Sequence, residues 1–174
     1  MRALAAKIRT PGLALYVLPD PPWYSLYDEA LEADEDTARL WQELTAASRL
    51  GRAAAFAVYE DEAMCWGLAG DGRILYRYCE GVEGEPEGAR GELPAYLDAA
   101  AVAAAQAGEP KTAAVRALAG ILGLFPDHAV VGFGDLLELD EESDLPADVW
   151  VLEDDAGPEF VLERPLLEED HAGG

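Results

Sequence analysis

The stretch from residue 53 to residue 80 limits what this chain can fold into more than any other part of it. Met64, Trp66 and Leu68 occupy every second position of one run, which is the period of a β-strand whose side chains alternate between two faces. An Asp-Gly pair at 71–72 separates this run from the next, and Asp-Gly between two such runs is the strongest short-range signal of a β-hairpin. The sequence therefore predicts an antiparallel meander of three strands over 53–80.

Helical segments are predicted on both sides of this meander. The first has apolar residues at helical spacing, Asp34 or Asp36 as its cap and Gly51 as a left-handed stop. The other two start at Pro94 and Pro110, because proline is favoured at the start of a helix. Small side chains in the earlier of these two let them pack closely as a helical hairpin. The predicted helices span 36–50, 94–107 and 111–123.

The rest of the chain is predicted to contribute strands and loops. The apolar run at 13–18 is typical of a buried strand, and two later runs predict a C-terminal hairpin over 149–163. Residues 81–91 are rich in Gly, Glu and Pro, which favours a flexible loop. We therefore predict a single α+β domain over 1–163, followed by an acidic tail at 164–174. Its antiparallel sheet combines the meander with the C-terminal hairpin, carries the helices on one face and leaves the other face partly wet.

The net charge of this chain, −23 at pH 7, is its most unusual quantity. From residue 127 to residue 174 there are sixteen acidic residues and one Arg. Direct binding to nucleic acid or to an anionic membrane needs Lys and Arg to neutralise phosphate, so this balance disfavours both. It favours a basic protein partner, although a high net charge also serves solubility alone.

The two cysteines, Cys65 and Cys79, are predicted to be free thiols. A two-residue turn places Cys65 opposite Tyr78, and a three-residue turn makes the cysteines diagonal neighbours, so neither register sets them directly opposite. Their spacing matches no zinc pattern, and we predict no metal and no other cofactor. No segment approaches the roughly eighteen apolar residues of a membrane span, and prolines stand where a signal-peptide cleavage site would be. The protein is therefore predicted to be cytoplasmic.

Residues that would carry catalytic chemistry are few. The adjacent pair Asp127 and His128 is a candidate for the base half of a hydrolase site, since an oriented imidazole activates a nucleophile. No nucleophile motif accompanies this pair, and with 35 acidic residues chance pairs of carboxylates are abundant. The sequence therefore favours a protein that is not an enzyme.

The meander also carries a family resemblance. Its residues are Trp66-Gly-Leu-Ala-Gly-Asp-Gly-Arg-Ile-Leu-Tyr-Arg-Tyr78, followed by a Glu/Gly/Pro loop and Glu92-Leu-Pro94. This segment resembles the WALARDG-x-x-x-R-x-Y stretch of small uncharacterised bacterial proteins that are abundant in actinobacteria. The resemblance covers about residues 56–94. It implies a bacterial accessory domain of the kind that includes toxin-immunity and defence proteins, and it transfers no catalytic residue.

These features predict a binding protein that docks onto a basic protein, such as a nuclease toxin or another nucleic-acid-binding protein. It would act as an immunity or antitoxin-type protein, or as an inhibitor that mimics nucleic acid. The alternatives are a structural or regulatory accessory subunit of a larger assembly and a small hydrolase that uses Asp127 and His128. In the first case acids supply the charge and an aromatic side chain supplies the anchor. The predicted partner-binding residues are Asp140, Glu141, Glu142, Asp144, Trp150, Asp154 and Asp155.

Overall fold

The computed structural model describes residues 15–20, 23–28, 31, 37–141, 145 and 149–152. The chain forms two compact units, one from residues 30–132 and the other from 1–29 together with 133–174. The predicted α+β class with antiparallel strands is confirmed. In chain order the strands are β1 (Leu15–Asp20), β2 (Trp23–Asp28), β3 (Ala53–Tyr59), β4 (Ala63–Gly70), β5 (Arg73–Glu80), β6 (Gly88–Gly91) and β7 (Trp150–Leu152). Among the described residues the longer helices are α1 (Ala38–Ala47), α2 (Ala99–Gln106), α3 (Lys111–Leu122) and α4 (Phe133–Glu141), and a 3₁₀-helix, Ser48–Leu50, directly follows α1.

The four-stranded sheet of the 30–132 unit is the predicted meander with one strand added. β3, β4 and β5 pair in sequence order, and β6 pairs with the far side of β5. The β4–β5 turn has positive φ at both Asp71 and Gly72, as an Asp-Gly hairpin requires. The prediction of a flexible loop over 81–91 is wrong for its last residues. Gly91, at a φ of 85°, lets β6 lie close to β5, where any side chain would collide with the Leu75 carbonyl.

A bulge in the β4–β5 hairpin corrects the predicted cysteine register. Pairing shifts between Leu68 and Ala69, so that β5 carries one extra residue, Leu75. The shift places Cys65 directly opposite Cys79, with their Cα atoms 4.2 Å apart, and the two form a disulfide. The prediction of two free thiols is therefore wrong. The cytoplasmic location stays a prediction.

Helices cover both faces of this sheet, whereas one face was predicted to stay partly wet. α2 and α3 pack on the face that carries Trp66, and α1 packs on the face that carries the disulfide. β4 is therefore buried along nearly its whole length, as expected of a strand between two helical layers. The first core contains Met64, Trp66, Leu68, Tyr76, Val102, Ala105, Ala114, Val115 and Leu118, and the second contains Leu40, Trp41, Leu44, Cys65, Ala69 and Cys79.

Small residues on β4 explain how α1 comes so close to the sheet. A Cβ atom added at Gly67 would lie 2.7 Å from Trp41 Cζ3 and 3.1 Å from Leu44 Cδ2. The distance to Trp41 is too short for non-bonded carbon atoms and the distance to Leu44 is tight, so any side chain at this position would have to displace Trp41. The small residues of β4 that alternate with the large apolar ones thus pack against α1 and do not face solvent.

Two helix boundaries differ from the predicted ones, and the predicted caps of α1, Asp34 and Asp36, lie outside the described residues. Asp98 caps α2, because its carboxylate accepts hydrogen bonds from the amides of Ala100 and Ala101 at 2.8 and 3.2 Å. α2 therefore begins five residues after Pro94, and the predicted start is wrong. Gly51 is extended, with a φ of 160°, so the predicted left-handed stop of α1 is also wrong. α3 agrees with the predicted helix over 111–123 to within one residue.

Glu85 holds the segment before β6 against the start of α1. The Thr37 hydroxyl and the Trp41 indole N–H, the latter at 2.8 Å, both donate to Glu85 Oε1. Arg77 Nη1 lies 3.7 Å from Glu85 Oε2. One carboxylate therefore ties a loop, a helix and a strand together, which a solvent-facing loop would not do.

The second unit contains a three-stranded antiparallel sheet in the order β2-β1-β7. β1 confirms the predicted buried strand, and β2 is a strand that the sequence pattern did not predict. β7 was predicted to join the meander sheet through a hairpin over 149–163. It pairs instead with β1, where Trp150 lies opposite Val17. Residues 153–163, the other half of the predicted hairpin, lie outside the described residues.

Candidate protein-binding surface

α4 contains most of the described residues of the predicted acidic region. Phe133 and Leu136 are buried, and the Phe133 ring lies against the Tyr16 ring of β1 with 5.1 Å between the centroids. The Tyr16 hydroxyl donates a hydrogen bond of 3.1 Å to Asp140 Oδ2. Phe133, Leu136 and Asp140 recur at helical spacing and form the inward face of α4.

The outward residues of α4 combine acidic and apolar side chains. Leu137 is 41% exposed and Leu139 is 38% exposed. Exposed acids stand on either side of them along the helix. Large apolar side chains at the surface, surrounded by polar ones, are typical of protein-binding sites. We call this region the α4 surface, and it consists of Asp135, Leu137, Glu138, Leu139 and Glu141.

The predicted partner-binding residues do not all have the same role in the structure. Asp140 turns inward to Tyr16, whereas Glu141 is exposed at the end of α4. Trp150 lies in β7, on the strand that pairs with β1. Of the predicted set, Glu141 therefore lies on the outward surface, whereas Asp140 fixes α4 to β1 through Tyr16. The remaining predicted residues, which lie outside the described part of the chain, are Glu142, Asp144, Asp154 and Asp155.

Leu137 and Leu139 were not predicted as part of the site. Helical spacing would not have identified them, because Leu137 lies four residues after Phe133 and Leu139 lies three residues after Leu136, which places both at the edges of the inward face. The sequence also did not decide whether this segment is a helix. Short apolar runs next to glycine are compatible with a strand or a helix, so periodicity alone did not decide it.

Asp127 and His128, the residues of the hydrolase alternative, make separate contacts. Asp127 Oδ1 accepts a hydrogen bond of 3.2 Å from Arg116 Nε, and the Asp127 side chain is 86% exposed. The His128 ring packs near Phe125, with 5.5 Å between the ring centroids. Within the described residues, therefore, Asp127 does not orient the His128 imidazole as a catalytic pair requires.

A second polar cluster joins the end of β5 to the start of α3. Lys111 is 2% exposed, and its Nζ lies 3.0 Å from Glu80 Oε1 and 2.7 Å from Glu109 Oε1. The Tyr78 hydroxyl donates a hydrogen bond of 2.7 Å to Glu80 Oε2. The backbone N–H of Lys111 donates to the Asp61 carbonyl of the β3–β4 turn. These contacts fix the start of α3 on the sheet, and we call Tyr78, Glu80, Glu109 and Lys111 the Lys111 cluster.

The Lys111 cluster shifts the pKa values of three of its groups. Burial, followed by the hydrogen bond to Glu80, raises the pKa of Tyr78 to about 12. Hydrogen bonds from Tyr78 and then Lys111 lower the pKa of Glu80. The hydrogen bond to Glu109 raises the pKa of Lys111 against the opposing effect of burial. Each group is thus held in its ordinary neutral-pH state, which indicates an ion-pair network that stabilises the fold.

In the described ranges, no three or more His, Cys, Asp or Glu side chains are grouped so as to hold a metal ion. No helix in the same ranges is both long enough and apolar enough to cross a membrane. No family model, no curated protein and no solved structure matches this chain. The resemblance of the meander to immunity-type proteins therefore stays a prediction.

Proposed function

We propose that this protein binds a basic protein partner through the α4 surface. The observation that supports this most is the exposure of Leu137 and Leu139 on a helix whose exposed charges are all acidic. Residues 133–152 contain seven acidic residues and no Lys or Arg. Apolar contact at the two leucines would supply affinity, and the acids would select a basic surface and exclude an acidic one.

The partner class that fits this surface best is a protein that itself binds nucleic acid. Such proteins expose Lys and Arg that neutralise phosphate, and a helix lined with carboxylates offers negative charge in place of phosphate. The proposed role is therefore that of an inhibitor of the immunity or antitoxin type, which covers the basic site of a nuclease toxin or a related protein. The resemblance of the meander supports the same role.

The test begins with affinity capture from the native host and continues with association kinetics of the captured partner. The variant Glu138→Gln/Glu141→Gln should slow association by roughly tenfold at low salt, because it removes charge that steers the encounter. It should also flatten the salt dependence of the association rate, since surface charges are screened beyond about 8 Å at physiological ionic strength. Leu137→Gln/Leu139→Gln should instead speed dissociation, because it removes apolar contact from the bound state.

A matched control separates local docking from net charge. The variant Glu83→Gln/Glu92→Gln removes the same charge from exposed positions in the 30–132 unit. It should leave association nearly unchanged. If it slows association as much as the α4 variant does, net charge alone is responsible and the proposal fails. If capture recovers a partner that is not basic and stays bound at high salt, the alternative of an accessory subunit in a larger assembly replaces it.

A further inference from the structure

Among the described residues β3 is an edge strand, and its own sequence lacks the usual protection against pairing with another strand. It runs for seven residues, Ala53–Tyr59, and contains no charged residue, no proline and no glycine. The opposite edge, β6, has four residues, of which two are glycine and one is Arg90. Natural sheets protect their edges with short strands, charges, prolines or bulges, so an unprotected edge of this length is a site for strand addition.

Hydrogen-bond alternation shows which backbone groups of β3 point away from the sheet. The Glu92 N–H donates to the Leu75 carbonyl at 3.0 Å, so Leu75 and every second residue after it in β5 bond towards β6. Cys79 is one of these residues, and its 4.2 Å Cα distance to Cys65 is that of a pair without mutual backbone hydrogen bonds. Cys65 therefore bonds to Ala57 of β3, its other partner.

The same alternation assigns the rest of β3. Ala53, Ala55, Ala57 and Tyr59 bond to β4, and the residues between them direct their N–H and C=O groups outward. Within the described part of the chain, no residue donates to or accepts from the backbone of Ala54, Phe56 or Val58 on that outer side. Three donors and three acceptors thus stand in a row along the edge.

We propose that β3 pairs antiparallel with β3 of a second copy of this chain, with Phe56 opposite Phe56 of that copy. In this register Ala54 faces Val58 of the second copy, so all the outward groups form hydrogen bonds on both strands. The interface is isologous, and a two-fold axis at Phe56 joins two four-stranded sheets into one. The paired phenylalanine side chains lie on the same face and contact each other across the strands.

Charge at the two ends of β3 favours a second copy as the occupant. Arg52 directly precedes the strand and Glu60 directly follows it, and both are exposed. Antiparallel pairing centred on Phe56 brings Arg52 near Glu60 of the second copy, where Glu60 begins the β3–β4 turn with a φ of 49°, and this occurs twice in the dimer. Parallel pairing in register would instead set like charges together, which is unfavourable for directly opposed residues.

Sedimentation equilibrium of the full chain at physiological ionic strength tests this proposal. The wild type should reach twice the mass of one chain as its concentration rises. Arg52→Glu and Glu60→Arg should each raise the dimer dissociation constant about tenfold, because each replaces two attractive pairs with two repulsive ones. The double variant Arg52→Glu/Glu60→Arg exchanges the two charges and should restore the wild-type dissociation constant.

A pair of proline variants tests the edge itself. Ala54→Pro removes an N–H that points outward, so it should give a monomer whose melting temperature is close to that of the wild type. Ala55→Pro removes an N–H that bonds to β4 and should lower the melting temperature instead. A wild type that stays monomeric up to its solubility limit overturns the proposal, and so does a dimer that Ala54→Pro leaves intact. If the double charge variant fails to restore the dimer, the antiparallel register centred on Phe56 is wrong.

Discussion

The buried charges of the 30–132 unit and the exposed charges of α4 have different surroundings. In the 30–132 unit, half-buried charges have partners on other elements: Glu85 lies between Trp41 and Arg77, and Lys111 lies between two carboxylates. In the other unit, the exposed charges of α4 are all acidic, and residues 133–152 contain no Lys or Arg. Glu85 and Lys111 therefore make internal contacts, whereas Glu138 and Glu141 of α4 are exposed.

The net charge of the chain therefore does not have a single role. Removing one partner of a buried or half-buried pair leaves the other partner uncompensated, which lowers the free energy of unfolding. Exposed acids away from such pairs change it by no more than about 0.5 kcal/mol. Substitutions in the first unit should therefore be measurable in unfolding experiments, and substitutions on the α4 surface in binding experiments.

The largest expected effect lies in the 30–132 unit and concerns its disulfide. Cys65→Ala/Cys79→Ala should lower the free energy of unfolding by about 3 kcal/mol, because a cross-link over a loop of this length restricts the unfolded chain. Urea unfolding measures the loss. Hydrogen exchange should place it in β4 and β5 and leave β1 unaffected, which would show that the two units respond separately.

A thiol assay provides the control for that prediction. Under denaturing conditions the wild type should show no reactive thiol without reductant and two after reduction. Reduced wild type should then unfold at the same urea concentration as the double alanine variant. Two reactive thiols without reductant would contradict the pairing and would restore the prediction made from the sequence.

Much of the fold could be predicted where short-range interactions decide it. The Asp71-Gly72 turn, the alternation in β4 and the start of α3 after Pro110 are local features, and all were predicted correctly. The cysteine pairing was not, because it depends on a bulge that shifts the register by one residue. The burial of the second sheet face was also missed because it depends on a contact distant in sequence. Gly67 indicates a helix-packing position only when Trp41 is known to pack there.

The candidate site was predicted only in outline. Composition identifies the acidic region, because charge can be counted without knowing the structure. Which acids face outward depends on Tyr16, which lies 124 residues before Asp140 in sequence and bonds to it. A contact of that separation leaves no periodic signal, so Asp140 was placed in the predicted binding set although its carboxylate serves the fold.

A second, smaller effect is expected at alkaline pH in the Lys111 cluster. The folded-state pKa of Tyr78 is raised from 10.0 to about 12, so stability is fully present below pH 10 and is lost as pH rises towards 12. The raised pKa of Lys111 acts in the same direction, and its contribution declines above pH 10.5. Tyr78→Phe should therefore cost about 1 kcal/mol at pH 7 and flatten the decline above pH 10.

At acid pH the stability contributed by the Lys111 cluster changes with pH in the opposite direction. Because the pKa of Glu80 is lowered, its contribution is present above its ordinary pKa of 4.5 and is lost as pH falls below it. Glu80→Gln should remove this part of the acid dependence while leaving the alkaline decline from Lys111 in place. Thermal melts at a series of pH values measure both limbs. If the profile of Tyr78→Phe is parallel to that of the wild type above pH 10, the cluster does not govern alkaline stability.

Substitutions of exposed acids on the α4 surface should change the free energy of unfolding least. Glu138→Gln/Glu141→Gln should change the free energy of unfolding by no more than about 0.5 kcal/mol, because both side chains are exposed. Asp140→Ala on the same helix is the matched control. It deprives the buried Tyr16 hydroxyl of an acceptor and should cost about 1 to 2 kcal/mol in urea unfolding. If the exposed pair costs as much as Asp140→Ala, the acids of α4 serve the fold as those of the other unit do, and the surface is not reserved for a partner.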